Sequence, residues 1–144
     1  MSGETSDEER LNSLVVEVRV LEGTYNELSA RQNFLERILV ESRAALDAIK
    51  GLSEYKPDEV LLQIGGGALV RSSPPSIDRV LVGVGANVVL EKSRDEATAM
   101  LESRVKEIEN SIVTLLGQRN QIAERIEADR QLMQAILNRQ AQKG

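Results

Sequence analysis

Residues 80–91 read Val-Leu-Val-Gly-Val-Gly-Ala-Asn-Val-Val-Leu-Glu, which places two short runs rich in valine and leucine on either side of Gly85-Ala86-Asn87. Runs of this length and composition are typical of β-strands, because β-branched side chains fit a pleated surface. A short connection of turn-forming residues between two such runs favours an antiparallel pair. The segment therefore predicts a β-hairpin.

The same pattern occurs earlier in the chain, where Val60–Ile64 and Ala68–Arg71 flank a Gly-Gly-Gly connection. Residues 72–76 join the two patterns and contain two consecutive prolines, which cannot donate to a ladder. We therefore expect two separate hairpins within residues 58–92.

Both faces of the predicted hairpins carry apolar side chains, which four short strands cannot bury by themselves. Exposed strand edges and apolar faces of this kind are surfaces for assembly. The alternative, in which the flanking helices fold over the strands, is weaker because the apolar stripes of those helices are used elsewhere. We expect oligomerisation through the hairpins, with these contact residues: Val60, Leu62, Ile64, Leu69, Val80, Val82, Val84, Val88 and Leu90.

Outside the hairpins, apolar residues no longer recur at every second position but at alternating steps of three and four residues. From Leu11 to Ile49 this spacing is sustained over several heptads and predicts a helix over about residues 9–50. Gly51 follows the last seam position and is predicted to end the helix in a left-handed cap.

A second heptad pattern predicts a helix over about residues 93–140. Ser93 and Glu96 form a capping-box pattern at its start, and seam positions recur from Leu101 to Ile136. Because the two helices lie on opposite flanks of one central segment and have similar lengths, they are predicted to pair as an antiparallel coiled coil. The fold class is therefore mostly α, a long antiparallel two-helix coiled coil with two β-hairpins between the helices, and the whole chain, 1–144, is one domain.

Two polar residues fall in the predicted seam, Gln32 and Arg119, and this register places them within about one turn of each other. They either form a polar layer that fixes the pairing of the helices or reach past the seam into water. The residues alone do not distinguish these readings.

The paired ends of the two helices, the tips, are apolar beyond what one seam requires. A surplus of this kind predicts a binding surface, and a flexible methionine suits varied partners. The alternative is ordinary edge residues beside the seam. The candidate binding residues are Leu14, Val15, Val18, Leu132, Met133, Ile136 and Leu137.

The composition argues against catalysis and several other functions. The sequence has no His, the commonest general base and metal ligand, and no Cys for a disulfide or a thiolate metal site. A net charge of -5 with 2% aromatic residues does not favour nucleic acid as a partner. Neither glycine-rich segment matches a phosphate-binding motif. No stretch approaches ~18 uninterrupted apolar residues and the start of the sequence is acidic, so we expect a cytoplasmic protein without a membrane partner. We also expect that it is not an enzyme and has no catalytic residue, metal or cofactor.

The predicted order of helix, two hairpins and helix resembles the alpha class of prefoldin subunits over the whole chain. The residues that carry the resemblance are Gly65-Gly66-Gly67-Ala68-Leu69-Val70-Arg71 and the stretch from Arg79 to Ser93. The most specific part is Val-Leu-Val-Gly-Val-Gly-Ala at residues 80–86, passing into Glu-Lys-Ser at 91–93. Two hairpins rather than one separate the alpha class from the beta class.

The resemblance implies a hexamer of two alpha and four beta subunits, in which the hairpins form a central double β-barrel. It further implies that the tips hold non-native polypeptides without ATP and pass them to a group II chaperonin, which assigns client binding to the tip residues named above. A structural coiled-coil scaffold or adaptor without client-holding activity is the alternative.

Overall fold

The computed structural model describes residues 2–143, with side chains described from Ser6 to Lys143. The elements follow in the order α1 (Ser2–Glu54), β1 (Val60–Gly65), β2 (Ala68–Ser72), β3 (Arg79–Gly85), β4 (Val88–Ser93) and α2 (Arg94–Lys143). Along the chain, two small antiparallel sheets thus lie between two long helices, as predicted. Neither helix has a stretch apolar and long enough to span a lipid bilayer within the described residues.

Helix α1 ends later than its sequence pattern predicts. Gly51 does not terminate it, since the helix continues to Glu54 and the Tyr55 N–H still donates to the Gly51 carbonyl at 3.0 Å. The left-handed conformation belongs instead to Lys56, at φ 42°, and is followed by Pro57, which cannot continue a helix. The predicted cap at Gly51 is therefore wrong.

The first hairpin pairs β1 with β2, with Val60 opposite Ser72 and Gly65 opposite Ala68. Its two-residue turn is Gly66-Gly67, and both residues have positive φ, 59° and 78°. A two-residue turn with two positive φ angles matches the right-handed twist of the strands, and glycine adopts it without steric cost. The triple-glycine connection therefore produces the turn that the sequence predicts.

The second hairpin repeats this design with less favourable residues. It pairs β3 with β4 from Arg79 opposite Ser93 to Gly85 opposite Val88. The turn residues are Ala86 and Asn87, at φ 50° and 60°. Asparagine tolerates this left-handed region, whereas alanine does so at a cost of about 1 kcal/mol. The turn at Ala86 is consequently strained.

Helix α2 begins immediately after β4. The hydroxyl of Ser93 accepts a hydrogen bond from the backbone N–H of Glu96 at 3.2 Å, which confirms Ser93 as the N-cap. Asp95 and Glu96 add negative charge to the first turn, where the helix dipole stabilises it. Strand and helix therefore join without a loop.

The chain divides into two compact units, described separately below. The terminal unit contains the chain up to Glu36 and from Asn110 onward, and the hairpin unit contains Arg37–Glu109.

Candidate functional site

Three ion pairs between the helices define the register of the terminal unit. The Arg139 guanidinium contacts the Asp7 carboxylate at 2.7 Å, Arg130 contacts Glu22 at 2.6 Å, and Arg125 contacts Glu17 at 2.8 Å. Early residues of α1 meet late residues of α2, so the helices are antiparallel. Most of these side chains remain exposed, and each such pair contributes at most about 1 kcal/mol.

A buried seam supplies the main stabilisation of this helix pair. Leu14 on α1 and Leu115, Ile126 and Ile136 on α2 are buried, and all four occupy predicted heptad positions. Burying a large aliphatic side chain contributes roughly 1.5–3 kcal/mol. The predicted antiparallel coiled coil is therefore present here.

A polar layer interrupts the seam at Gln32. The Arg119 guanidinium donates to Gln32 Oε1 at 2.9 Å, and Gln32 Nε2 donates to Glu36 Oε1 at 3.0 Å. Arg119 also lies over the ring of Tyr25, 5.3 Å from its centroid. Gln32 is buried, so the polar-layer reading is confirmed and the reading in which both side chains extend into water is wrong.

The predicted tip residues have different degrees of exposure. Leu14 and Ile136 are buried in the seam, so the folded tip does not present these two predicted binding residues at its surface. Val18 and Met133 are half-buried. Val15, Leu132 and Leu137 are exposed, as a binding role requires.

Two further residues are more exposed than any of these predicted tip residues. Val16 and Val20 have 58% and 63% of their surface accessible. The heptad pattern predicts this exposure, because both residues lie on positions of α1 that face away from the seam. We define the tip surface as the exposed apolar residues that lie between the Asp7–Arg139 and Glu22–Arg130 ion pairs: Val15, Val16, Val20, Leu132 and Leu137.

The hairpin unit presents a second apolar surface. Of the predicted assembly residues, Leu62, Ile64, Leu69, Val84, Val88 and Leu90 are exposed, and Val60 and Val80 are half-buried. Leu61, Val70, Leu81 and Val89 add exposed apolar side chains that the predicted set omits. In the register of β1 and β2, Leu62 is opposite Val70 and Gln63 opposite Leu69, so apolar residues occupy both faces.

The second hairpin lies against α2. Val82 of β3 is buried within the chain. The chain itself therefore covers this residue, which the sequence predicted as a contact with a partner. The Arg104 guanidinium of α2 donates to the carbonyl of Gly83, and the Arg94 N–H donates to the Asp78 carbonyl at 3.2 Å. Alternation along a strand explains the burial, because Val82 is on the face of β3 opposite to Leu81, which is exposed. Sequence alone does not show which face is covered.

Within residues 2–143 no group of three or more carboxylates, histidines or cysteines could hold a metal ion. The buried titratable group that stands out is Asp129, in the seam of the terminal unit. Burial is the main cause that raises the pKa of its carboxyl, and the hydrogen bond and charge of Glu17 raise it further, while the charge of Arg125 opposes them.

Comparison with known families gives the decisive observation: the prefoldin subunit model matches residues 21–139, which include both hairpins and most of both helices. This chain belongs to the prefoldin family. Prefoldin subunits are non-enzymatic subunits of molecular chaperones, and the expectation that the chain is not an enzyme follows from that membership.

Among curated relatives, the prefoldin chain is 32% identical to prefoldin subunit alpha of Nitrosopumilus maritimus over 133 residues, covering 90% of this chain and 92% of the relative. It is 35% identical to prefoldin subunit alpha of Methanoculleus marisnigri, covering 74% and 76%. The resemblance to alpha prefoldin subunits is therefore confirmed.

A solved structure confirms the prefoldin fold. The prefoldin beta subunit from Thermococcus strain KS-1 matches with a TM-score of 0.62 at 17% identity, covering 87% of this chain and 90% of that one. At this identity the similarity concerns the fold alone.

Proposed function

We propose that this chain is a subunit of an ATP-independent holdase that captures non-native polypeptides at the tip surface and transfers them to a group II chaperonin. The observation that carries the proposal is the exposure of five aliphatic side chains at the paired helix ends. Exposed apolar residues that are concentrated in one part of a protein often mark a binding site for a partner.

The chemistry of the tip surface suits unfolded chains. It offers aliphatic side chains with little hydrogen-bonding specificity, and these can contact the apolar segments that a non-native polypeptide exposes. Each contact is weak, at about 25 cal/mol per Å² of apolar surface buried. Several tips in one assembly would raise the overall affinity, because the second contact of a bound client becomes intramolecular.

We further propose that the hairpins mediate assembly with prefoldin beta subunits into a cytoplasmic hexamer of two alpha and four beta subunits. The exposed apolar residues on both faces of the hairpins support this, since such strands need a partner to bury them. The likeness of this chain to alpha subunits supports the choice of partner.

The test of client capture compares two double variants in the assembled complex. Val16→Ser with Val20→Ser removes apolar surface from the tip, whereas Val40→Ser with Val113→Ser removes similarly exposed valines, 66% and 68% accessible, elsewhere on the helices. Suppression of aggregation of a chemically unfolded client is measured without nucleotide. We expect the tip variant to lose most of the suppression and the control to keep it.

Equal activity of the two variants would overturn the assignment of client binding to the tip. No suppression by the unaltered complex would reject the holdase and favour a structural scaffold. Native mass spectrometry of the same samples, with and without a beta subunit, checks that every variant still assembles. In that assay Leu81→Asp in β3 is expected to block assembly, because it places a charge on a strand face that would be buried.

A further inference from the structure

The terminal unit contains a buried carboxylate at a seam position of α2. Asp129 is 2% exposed, and its Oδ2 atom has no hydrogen-bond partner among the described residues. An ionised carboxylate in this setting loses its hydration without full compensation, which is unfavourable. The neighbouring ion pairs Glu22–Arg130 and Asp7–Arg139 differ, because the side chains of Glu22 and Asp7 are 47% and 16% exposed, against 3% for Asp129.

The groups that face Asp129 come from both helices. From α1, the Glu17 carboxyl binds Arg125, the same guanidinium that contacts Asp129. From α2, Arg125 Nε lies 3.5 Å from Asp129 Oδ1 and 2.8 Å from Glu17 Oε1, so the guanidinium binds Glu17 more closely than Asp129. Two carboxyls and one guanidinium therefore share one small volume.

This arrangement has two protonation states with opposite effects on the helix pair. When one proton is present, the carboxyls can form an O–H···O bond across the seam, and Arg125 balances the single remaining charge. When the proton is lost, two adjacent carboxylates repel each other, and one guanidinium cannot neutralise both.

We propose that Glu17 and Asp129 form a proton-operated latch that holds α1 and α2 together at the tip when it is protonated and loosens them when it is not. Loosening exposes the seam residues Leu14 and Ile136, which the closed tip buries. The latch would thereby regulate how much apolar surface the tip offers to a client. This consequence rests on the proposed function, whereas the latch itself does not.

The raised pKa of Asp129 agrees with this geometry, because the folded chain retains the proton to a higher pH than a free aspartate does. Acidification therefore closes the tip and rising pH loosens it.

The test measures tip closure directly in the full chain assembled with a beta subunit. The sequence has no cysteine, so Asn12→Cys and Gln140→Cys, which line one cleft at the tip, can carry a unique pair of spin labels. Electron–electron double resonance then gives the distribution of distances at about pH 8 and about pH 5. We expect a broad distribution with a long-distance component at the higher pH and the loss of that component at the lower pH.

Two variants separate the latch from general effects of pH. Asp129→Asn keeps the shape, removes the charge and can donate to Glu17, so it should give the narrow distribution at both pH values. Glu22→Gln removes a carboxylate of the same helix pair that is paired with Arg130, and it should respond to pH as the unaltered chain does. A distribution that does not change with pH, or a response that persists in Asp129→Asn, would overturn the latch.

Client binding is then measured separately by fluorescence anisotropy, with labelled, reduced and carboxymethylated lactalbumin as an unfolded probe. We expect weaker binding at the lower pH, and weaker binding by Asp129→Asn at the higher pH. If the distances respond to pH and client binding does not, the latch stands and its regulation of capture is rejected. If Val16→Ser with Val20→Ser abolishes binding while the distances stay constant, the proposed function stands and the latch is rejected.

Discussion

Replacement of Leu115 by alanine tests the buried seam of the terminal unit. Leu115 lies on α2 with 6% of its surface exposed, and Val113, two residues earlier on the same helix, is 68% exposed. The two positions therefore differ in burial while sharing the same segment of helix. Val113→Ala is the matched control, because it also shortens an aliphatic side chain.

The expected magnitudes follow from this difference in burial. Leucine-to-alanine changes in buried sites cost about 2–5 kcal/mol, from lost transfer free energy and the residual cavity. Since a two-helix seam borders solvent and can relax, we expect the lower end, about 2–3 kcal/mol, for Leu115→Ala. Val113→Ala should change the free energy of unfolding by less than about 0.5 kcal/mol.

The assay is guanidinium unfolding followed by circular dichroism at the helical minimum, at equal chain concentration because assembly contributes to apparent stability. We expect Leu115→Ala to lower the transition midpoint clearly and Val113→Ala to leave it nearly unchanged. If both variants shift the midpoint equally, or neither does, Leu115 is not a seam residue and the pairing of α1 with α2 described above is wrong.

Two further predictions concern the turns and the buried carboxylate. Gly66→Ala should destabilise the first hairpin by about 1 kcal/mol because its φ of 59° is unfavourable for alanine, whereas Ala86→Gly should relieve similar strain in the second, both measured by thermal unfolding. Between its ordinary pKa of 3.8 and its raised value in the fold, Asp129 binds more protons in the folded than in the unfolded chain. The unaltered chain should therefore gain stability relative to Asp129→Asn as pH falls through that range, and a pH series of unfolding midpoints that diverges in the opposite direction would contradict the assigned burial.

The local patterns of the sequence predict most of the fold. Period-two runs beside glycine-rich turns give the hairpins, heptads give the helices, and Ser93 is the N-cap because its hydroxyl is placed for the Glu96 N–H. These features depend on neighbours within a few residues. Counting along two antiparallel helices also places Gln32 within about one turn of Arg119, but only the structure shows that the two side chains bond to each other.

Apart from the exact end of α1, which is a local feature, what the sequence does not predict depends on contacts between distant residues. Gly51 has the right residue type for a cap, yet the helix continues because the left-handed residue is Lys56, before Pro57. The burial of Val82 depends on which face of β3 meets α2. Asp129 occupies a heptad position like any other polar seam residue, and its significance arises only from Glu17 and Arg125 lying beside it.

The two hairpins differ in how firmly they are attached, which matters for protein engineering. Arg104 and the buried Val82 hold the second hairpin on α2, so exchanging it would also alter the start of that helix. The first hairpin exposes nearly all of its residues and turns through unstrained glycines. It is therefore the hairpin that could be exchanged between subunits with the least change to the helices.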